Sequence, residues 1–440
     1  MNNKKWMAIL LGGIMAASLA APCSVSAAEK TTLTFWHAMG GTNGEVLQQI
    51  VDDFNASQDE IEIKAEYQGT YDDTITKLKA AMQSDSGLPD VCQMYDVGTK
   101  FMYDSGAVIP VEDKFESTGY DKSSVMEFIS SYYTVDGKQY AMPFNVSTPM
   151  LYYNKDVFEA AGLDPETPPT TYDEVLEDAK KIVESGAAPV GYSQAIYGWF
   201  FEQQLAGLGV TYGNNDNGRK EAVTAVDFDS NGGGLKVFDM WKKLYDSGCF
   251  EDYGTTTADT QTAFFSGQVG MIIESTAILK NAVDSSPFEV GTGYLPRIEQ
   301  NDEGGVIIGG GSLWLTDTGN EANEDAAWKF IEYITTPDVQ AKWSMGTGYF
   351  AINEKAYETE DMKAYLKENP NFETAINQLK DSPVNCNTAG VLSGVQTEAR
   401  LTFNEIMPQV YDGKLTTQDA VDQLAVSVNK AIENYNESIK

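Results

Sequence analysis

The stretch from Ala141 to Pro169, AMPFNVSTPMLYYNKDVFEAAGLDPETPP, decides how this chain is organised. It reads as an extended strand, a break at Pro149, a second strand over Met150 to Asn154, and a short helix stopped by Gly162 ahead of a proline-rich loop. A tight hairpin needs Asn-Gly, Asp-Gly or a similar turn, and Ser147-Thr148-Pro149 supplies none. Two strands joined in this way predict a chain passing from one lobe to another, and small-molecule sites favour such junctions.

Upstream of the junction, strands and helices alternate. Thr32 to Trp36 is a strand. Leu47, Ile50, Val51 and Phe54 fall at i, i+3, i+4 and i+7 of a helix over Glu45 to Phe54. Ile61 to Tyr67 is a strand, Asp72 to Met82 a helix and Pro89 to Tyr95 a strand. This βαβαβ series predicts a parallel sheet covered by helices, with ligands outside the carboxyl ends of the strands. Those ends carry Trp36-His37, Tyr67-Gln68-Gly69 and Asp96-Val97-Gly98.

Downstream, helices dominate. Thr171 and Glu174 form a capping-box pattern, and further helices are expected over Gly232–Asp246, Thr255–Phe265, Glu321–Ile334, Ser393–Pro408 and Thr417–Tyr435. A strand over Val306 to Leu315 is interrupted by Gly309, Gly310 and Gly311, which predicts a second crossing or a close backbone approach. The fold class is α/β with two lobes and a cleft between them. One lobe is expected over 28–143 and 311–350, the other over 144–310 and 351–440.

Composition narrows the function. Residues 1–27 have the form of a signal peptide: basic Lys4 and Lys5, an apolar run from Met7 to Ala21, and Val25-Ser26-Ala27 as a cleavage site. Pro22 before Cys23 departs from a lipid-anchoring pattern, so a freely soluble exported product is expected. The formal charge is −35, and removing Lys4 and Lys5 with the leader makes it more negative still. Nucleic acid and anionic membrane surfaces are excluded as partners by such a surface. The remaining cysteines, Cys92, Cys249 and Cys386, have no metal or redox spacing and read as free thiols. With His37 the single histidine, histidine-based triads and zinc sites have little to draw on, and no G-x-S-x-G or P-loop motif is present. No carboxylate pair stands out in an apolar setting, so neither catalysis nor a cofactor is expected.

Arginine is scarce: Arg219, Arg297 and Arg400. Arg219 lies in a Gly/Asn-rich loop and is expected to be exposed, whereas Arg400 sits on a helix among apolar and small neighbours. Its planar fork suits bidentate phosphate or carboxylate, and an ion pair within the protein is the alternative. Trp36, Tyr71, Trp199, Trp314 and Tyr349 are expected in loops or at strand ends, where aromatics suit the apolar faces of polyols.

Several runs carry a resemblance: Phe35-Trp36-His37, Tyr67-Gln68-Gly69-Thr70-Tyr71, Tyr95-Asp96-Val97-Gly98-Thr99, Pro143-Phe144-Asn145 with Ser147-Thr148-Pro149, Leu151-Tyr152-Tyr153-Asn154-Lys155-Asp156, Ala161-Gly162-Leu163-Asp164-Pro165, Ile307-Ile308-Gly309-Gly310 and Thr347-Gly348-Tyr349. Through them the chain resembles the family 1 extracellular solute-binding proteins of ATP-binding-cassette importers, and in particular their phosphate-binding branch. The resemblance implies a non-catalytic, monomeric receptor that closes at a hinge and delivers its ligand to a membrane permease. The implied ligand is a phosphorylated polyol, glycerol-3-phosphate or a glycerophosphodiester; an oligosaccharide is the alternative within the same fold. The implied contacts are Tyr71, Asp96, Ser147, Ser275, Gly310, Tyr349 and Arg400, with Trp199 as a wall for a larger headgroup. Arg400, Tyr71 and Tyr349 would hold the phosphate, and Asp96 the glycerol hydroxyls. The family pattern has Glu where this chain has Asp96, so the carboxylate is set back by about one methylene.

Overall fold

Every residue of the strands Met142–Ser147 and Pro149–Asn154 is buried. In this computed structural model, which describes residues 30–84 and 87–440, the two strands belong to different sheets. The expected leader and Cys23 lie outside the described residues.

The first sheet runs in the order Ile61–Tyr67, Thr31–His37, Val91–Tyr95, Gly309–Thr316, and then Met142–Ser147 and the short Val108–Ile109 along the far edge of Gly309–Thr316. Its first three strands are parallel, as the βαβαβ pattern requires. Gly309–Thr316 enters antiparallel to both of its main neighbours, having come back from the other sheet. That second sheet is Val290–Gly293, Pro149–Asn154, Val269–Ser275 and Val190–Ser193. The period of two along Pro149–Asn154 divides the interior: Met150 and Tyr152 face one core, and Leu151 and Tyr153 the other.

The chain changes sheets at Thr148, so the crossing lies a few residues beyond the expected 143/144 boundary. The Thr148 backbone is fixed in both directions by Thr276, whose Oγ1 accepts from its N–H at 3.2 Å and whose N–H donates to its carbonyl at 2.8 Å. Gln378 adds a clamp by donating from Nε2 to the Pro149 carbonyl at 2.7 Å. Buried backbone groups at a crossing must find partners outside a regular ladder, and these side chains supply them.

The second crossing is at the glycines. The strand starts at Gly309 rather than Val306, and its register shifts between Gly311 and Ser312. Gly310 has φ +92°, and a Cβ there would lie 1.8 Å from the Asn145 carbonyl oxygen. Only glycine permits this approach between the two crossings. Most other elements match their patterns; Glu321–Ile334 does so to the residue, and Thr171 and Glu174 form both halves of the capping box. The helix Gly198–Gly207 is a departure, since its Gly-Trp-Phe-Phe start resembles a loop or strand end in sequence. Trp314 is likewise not at a strand end but fully buried in the first core. Cys92 and Cys249 are buried free thiols, and Cys386 is half-buried and free.

Two measurements follow from these constraints. Gly310→Ala combines a forbidden backbone region with a main-chain clash and is expected to cost at least about 3 kcal/mol, read as a lowered denaturation midpoint. His37 sits buried at the end of its strand, where its Nδ1 accepts from the Met39 N–H at 3.3 Å, and burial lowers its pKa from 6.5 to about 4. The unfolded chain therefore takes up the proton first. Stability is lost as pH falls from about 6.5 towards 4, by up to about 3 kcal/mol, and His37→Gln should reduce that loss in a pH series of urea melts.

Candidate ligand-binding site

The elements around the two crossings bring most of the expected residues into one region. Tyr71 opens the helix Tyr71–Met82, whose start is fixed by the Thr70–Asp73 capping box. Asp96 begins a single 3-10 turn directly after the strand Val91–Tyr95. Tyr349 follows the left-handed Gly348 that ends the helix Pro337–Thr347. Arg400 lies in the second turn of the helix Gln396–Tyr411.

The centre of the site is an ion triad. Arg400 donates from Nε to Glu202 Oε1 at 2.7 Å and from Nη2 to Glu202 Oε2 at 2.7 Å. Its second Nη2 hydrogen reaches Asp96 Oδ2 at 2.9 Å. All three side chains are less than a tenth exposed. Glu202 and Arg400 stand on helices of the same lobe, whereas Asp96 arrives from the first sheet. Gln396 Nε2 also donates to Glu202 Oε1, at 2.7 Å. The close helix contact rests on Gly198, where a Cβ would lie 2.6 Å from the Arg400 Cα. Burial opposes charge on Arg400, but Asp96 and Glu202 outweigh it and hold its pKa well above the ordinary value. Nη1 carries the two remaining N–H groups, and they bond to nothing among the described residues.

Tyrosines surround the triad. Tyr71, Tyr95, Tyr132, Tyr133 and Tyr197 all have phenol pKa values pushed up by burial first, with Asp96 or another triad charge also acting on each. They are neutral hydroxyls at any physiological pH. Tyr71 stacks on Tyr95 with ring centroids 5.1 Å apart and accepts from Asn145 Nδ2 at 2.6 Å. Tyr349 has Asn145 and Tyr71 as its hydrogen-bonding neighbours and stacks on Trp343. Asn145 in turn accepts from Gln93 Nε2 at 2.7 Å. One amide of the crossing strand therefore orients the hydroxyl layer.

Ser147, Gly310 and Ser275 gather at the crossings themselves: Ser147 pairs with Gly309, and Ser275 with Pro149. The Ser275 hydroxyl caps the turn that follows it by accepting from the Ala277 N–H at 3.2 Å. Trp199 packs over Gly309, with its ring 2.7 Å from where a Cβ would stand. Neither Ser147 nor Ser275 touches Arg400. The lobes also meet through Tyr95 and Thr397, through Tyr435 and Asp104 at 2.6 Å, and through Arg219, which donates to the carbonyls of Tyr132, Ala389 and Gly390. Arg219 is thus engaged in this junction and not exposed, contrary to its loop composition; its guanidinium stacks on Tyr132 at 4.9 Å. A cavity of about 540 Å³ between the 292–298 loop and the helix Asn371–Asp381 contains none of the eight expected residues. Among the described residues no cluster of three or more His, Cys, Asp or Glu is placed to hold a metal ion, and no helix is long and apolar enough to cross a membrane.

Two participants escape sequence reading. Glu202 is one carboxylate among many, and only the fold pairs it with Asp96 around a cation. No carboxylate pair stands out in an apolar setting in the sequence, yet Glu202 and Asp96 are both buried on Arg400. Asn145 lies inside the Phe144-Asn145 run, yet nothing local says that its amide faces Tyr71. Because Arg400 neutralises two buried carboxylates, Arg400→Ala is expected to cost about 3–5 kcal/mol and to lower the melting temperature by several degrees, which calorimetric melting measures.

Comparison with known proteins places these features. The pattern of the bacterial extracellular solute-binding protein family, SBP_bac_8, matches residues 49–374. The sn-glycerol-3-phosphate-binding periplasmic protein UgpB of Escherichia coli K12 is 31% identical over 417 residues, covering 93% of this chain and 94% of its own. Among solved structures, UgpB from Mycobacterium tuberculosis in complex with glycerophosphocholine superposes with a TM-score of 0.79 at 20% identity, over 92% of this chain and 99% of that one. The cyclic alpha-maltosyl-1,6-maltose binding protein from Arthrobacter globiformis does so with 0.76 at 25% identity, over 92% and 100%.

Proposed function

This chain belongs to the bacterial extracellular solute-binding proteins of ABC importers, and on that premise we propose that its ligand is a phosphorylated polyol, sn-glycerol-3-phosphate or a glycerophosphodiester such as glycerophosphocholine. Members of the family bind small solutes and deliver them to a permease; they are not enzymes. The observation that carries the ligand class is Arg400, a buried guanidinium at the meeting of the lobes whose Nη1 makes no hydrogen bond among the described residues. Asp96 Oδ2 marks a place where an anionic oxygen is accepted at 2.9 Å. In the liganded form a phosphate oxygen takes the Nη1 side of Arg400 with Tyr71 and Tyr349, while Asp96 turns to the glycerol hydroxyls. Ser147, Ser275 and the Gly310 backbone serve the hinge end of the ligand, and Trp199 forms a wall there. The likeness to UgpB of Escherichia coli across nearly the whole chain supports the same ligand class.

Charge-assisted hydrogen bonds contribute about 1.5–3 kcal/mol each, so four or five, less ordering and closure costs, give micromolar or tighter binding. A second reading, an oligosaccharide, is favoured by one observation: Arg400 already faces two carboxylates, which suits a neutral polyol. Isothermal titration with sn-glycerol-3-phosphate, glycerophosphocholine and maltose separates the two. Heat with at least one phosphate ligand and none with maltose is expected; the reverse pattern would sink the phosphate assignment.

A further inference from the structure

We propose that Glu202 makes this site selective for a singly charged phosphodiester over a doubly charged phosphate monoester, an inference that rests on the phosphorylated-polyol reading. The Glu202–Arg400 pair is bidentate, is reinforced by Gln396, and lies wholly within one lobe. It therefore travels as a unit when the lobes part, and the guanidinium meets any ligand already neutralised. Asp96 adds a second carboxylate from the opposite lobe. The three groups in contact carry one positive and two negative charges.

Among the described residues no other cation is in contact with the triad. The surrounding tyrosines supply hydroxyl dipoles but no charge. Arg219 keeps its charge but turns Nε, Nη1 and Nη2 to backbone carbonyls and makes no contact with the triad, and Lys100 is held by Asp104. A ligand with one negative charge can satisfy it with the free N–H groups of Arg400 Nη1 and neighbouring hydroxyls. A second negative charge must be desolvated with no second cation in contact with it, close to Glu202, where solvent screens little. A diester replaces one charged phosphate oxygen with an uncharged ester oxygen and avoids this cost. Glu202 is in this sense a specificity-determining residue that acts through Arg400.

The test uses the full exported chain and two probes, sn-glycerol-3-phosphate and glycerophosphocholine, titrated calorimetrically at pH 7.5 and 5.5, where these values bracket the second phosphate pKa of about 6. For the unaltered protein the diester is expected to bind at least about tenfold tighter at pH 7.5. Acidification should strengthen monoester binding by about tenfold while diester affinity moves less than about threefold. Glu202→Gln, checked for folding by its melting transition, should shift the monoester-to-diester affinity ratio towards the monoester by at least about tenfold at pH 7.5. If Glu202→Gln weakens both ligands equally, Glu202 merely orients Arg400 and the inference fails. Equal affinity for the two ligands at pH 7.5 with no change at pH 5.5 overturns it without any variant. Absence of heat with both ligands on the unaltered protein would instead overturn the ligand class on which the inference stands.

Discussion

The burial of the Arg400 guanidinium between carboxylates from two lobes is the constraint on which the rest of this structure depends. A charge removed from water must be paired and hydrogen-bonded, and half-made pairs are worse than none. Glu202 meets that demand within one lobe and Asp96 across the cleft. The demand explains otherwise odd local choices. Gly198 has no side chain because the Arg400 backbone occupies the space. The strand Val91–Tyr95 ends in a tight turn that aims Asp96 outward from the sheet.

The crossing segment connects this triad to the hinge. Asn145 joins Gln93 of the first sheet to Tyr71, and its carbonyl sits against Gly310 of the second crossing. Three residues later Thr148 is clamped by Thr276 and Gln378. The same short run thus holds the Tyr71 hydroxyl and carries the chain between sheets.

The fold by itself does not choose a ligand. Solved relatives with nearly equal TM-scores hold glycerophosphocholine in one case and are named for a cyclic maltosaccharide in another. Here the charge balance at the cleft comes from one cation and two carboxylates within hydrogen-bonding distance, in a protein whose formal charge of −35 otherwise repels anions.

Sequence alone determined the alternation of strands and helices, a lobe crossing within the Ala141 to Pro169 stretch and the need for glycine near Gly310. Each of these is written in residues close together along the chain: period-two and period-3.6 burial, a missing hairpin turn, a glycine run. It also singled out Tyr71, Asp96 and Tyr349, because motif neighbours mark them, and Arg400, because arginine is scarce and this one sits among apolar and small neighbours on a helix. Only the tertiary structure decided that Arg400 is shared with Glu202, that Arg219 is engaged between lobes, and that Trp314 and the Trp199 helix are interior. The physical reason is sequence distance. Glu202 and Arg400 are 198 residues apart, and Asp96 and Arg400 are 304 apart. No local pattern distinguishes a carboxylate that will face a buried cation from the many that face water.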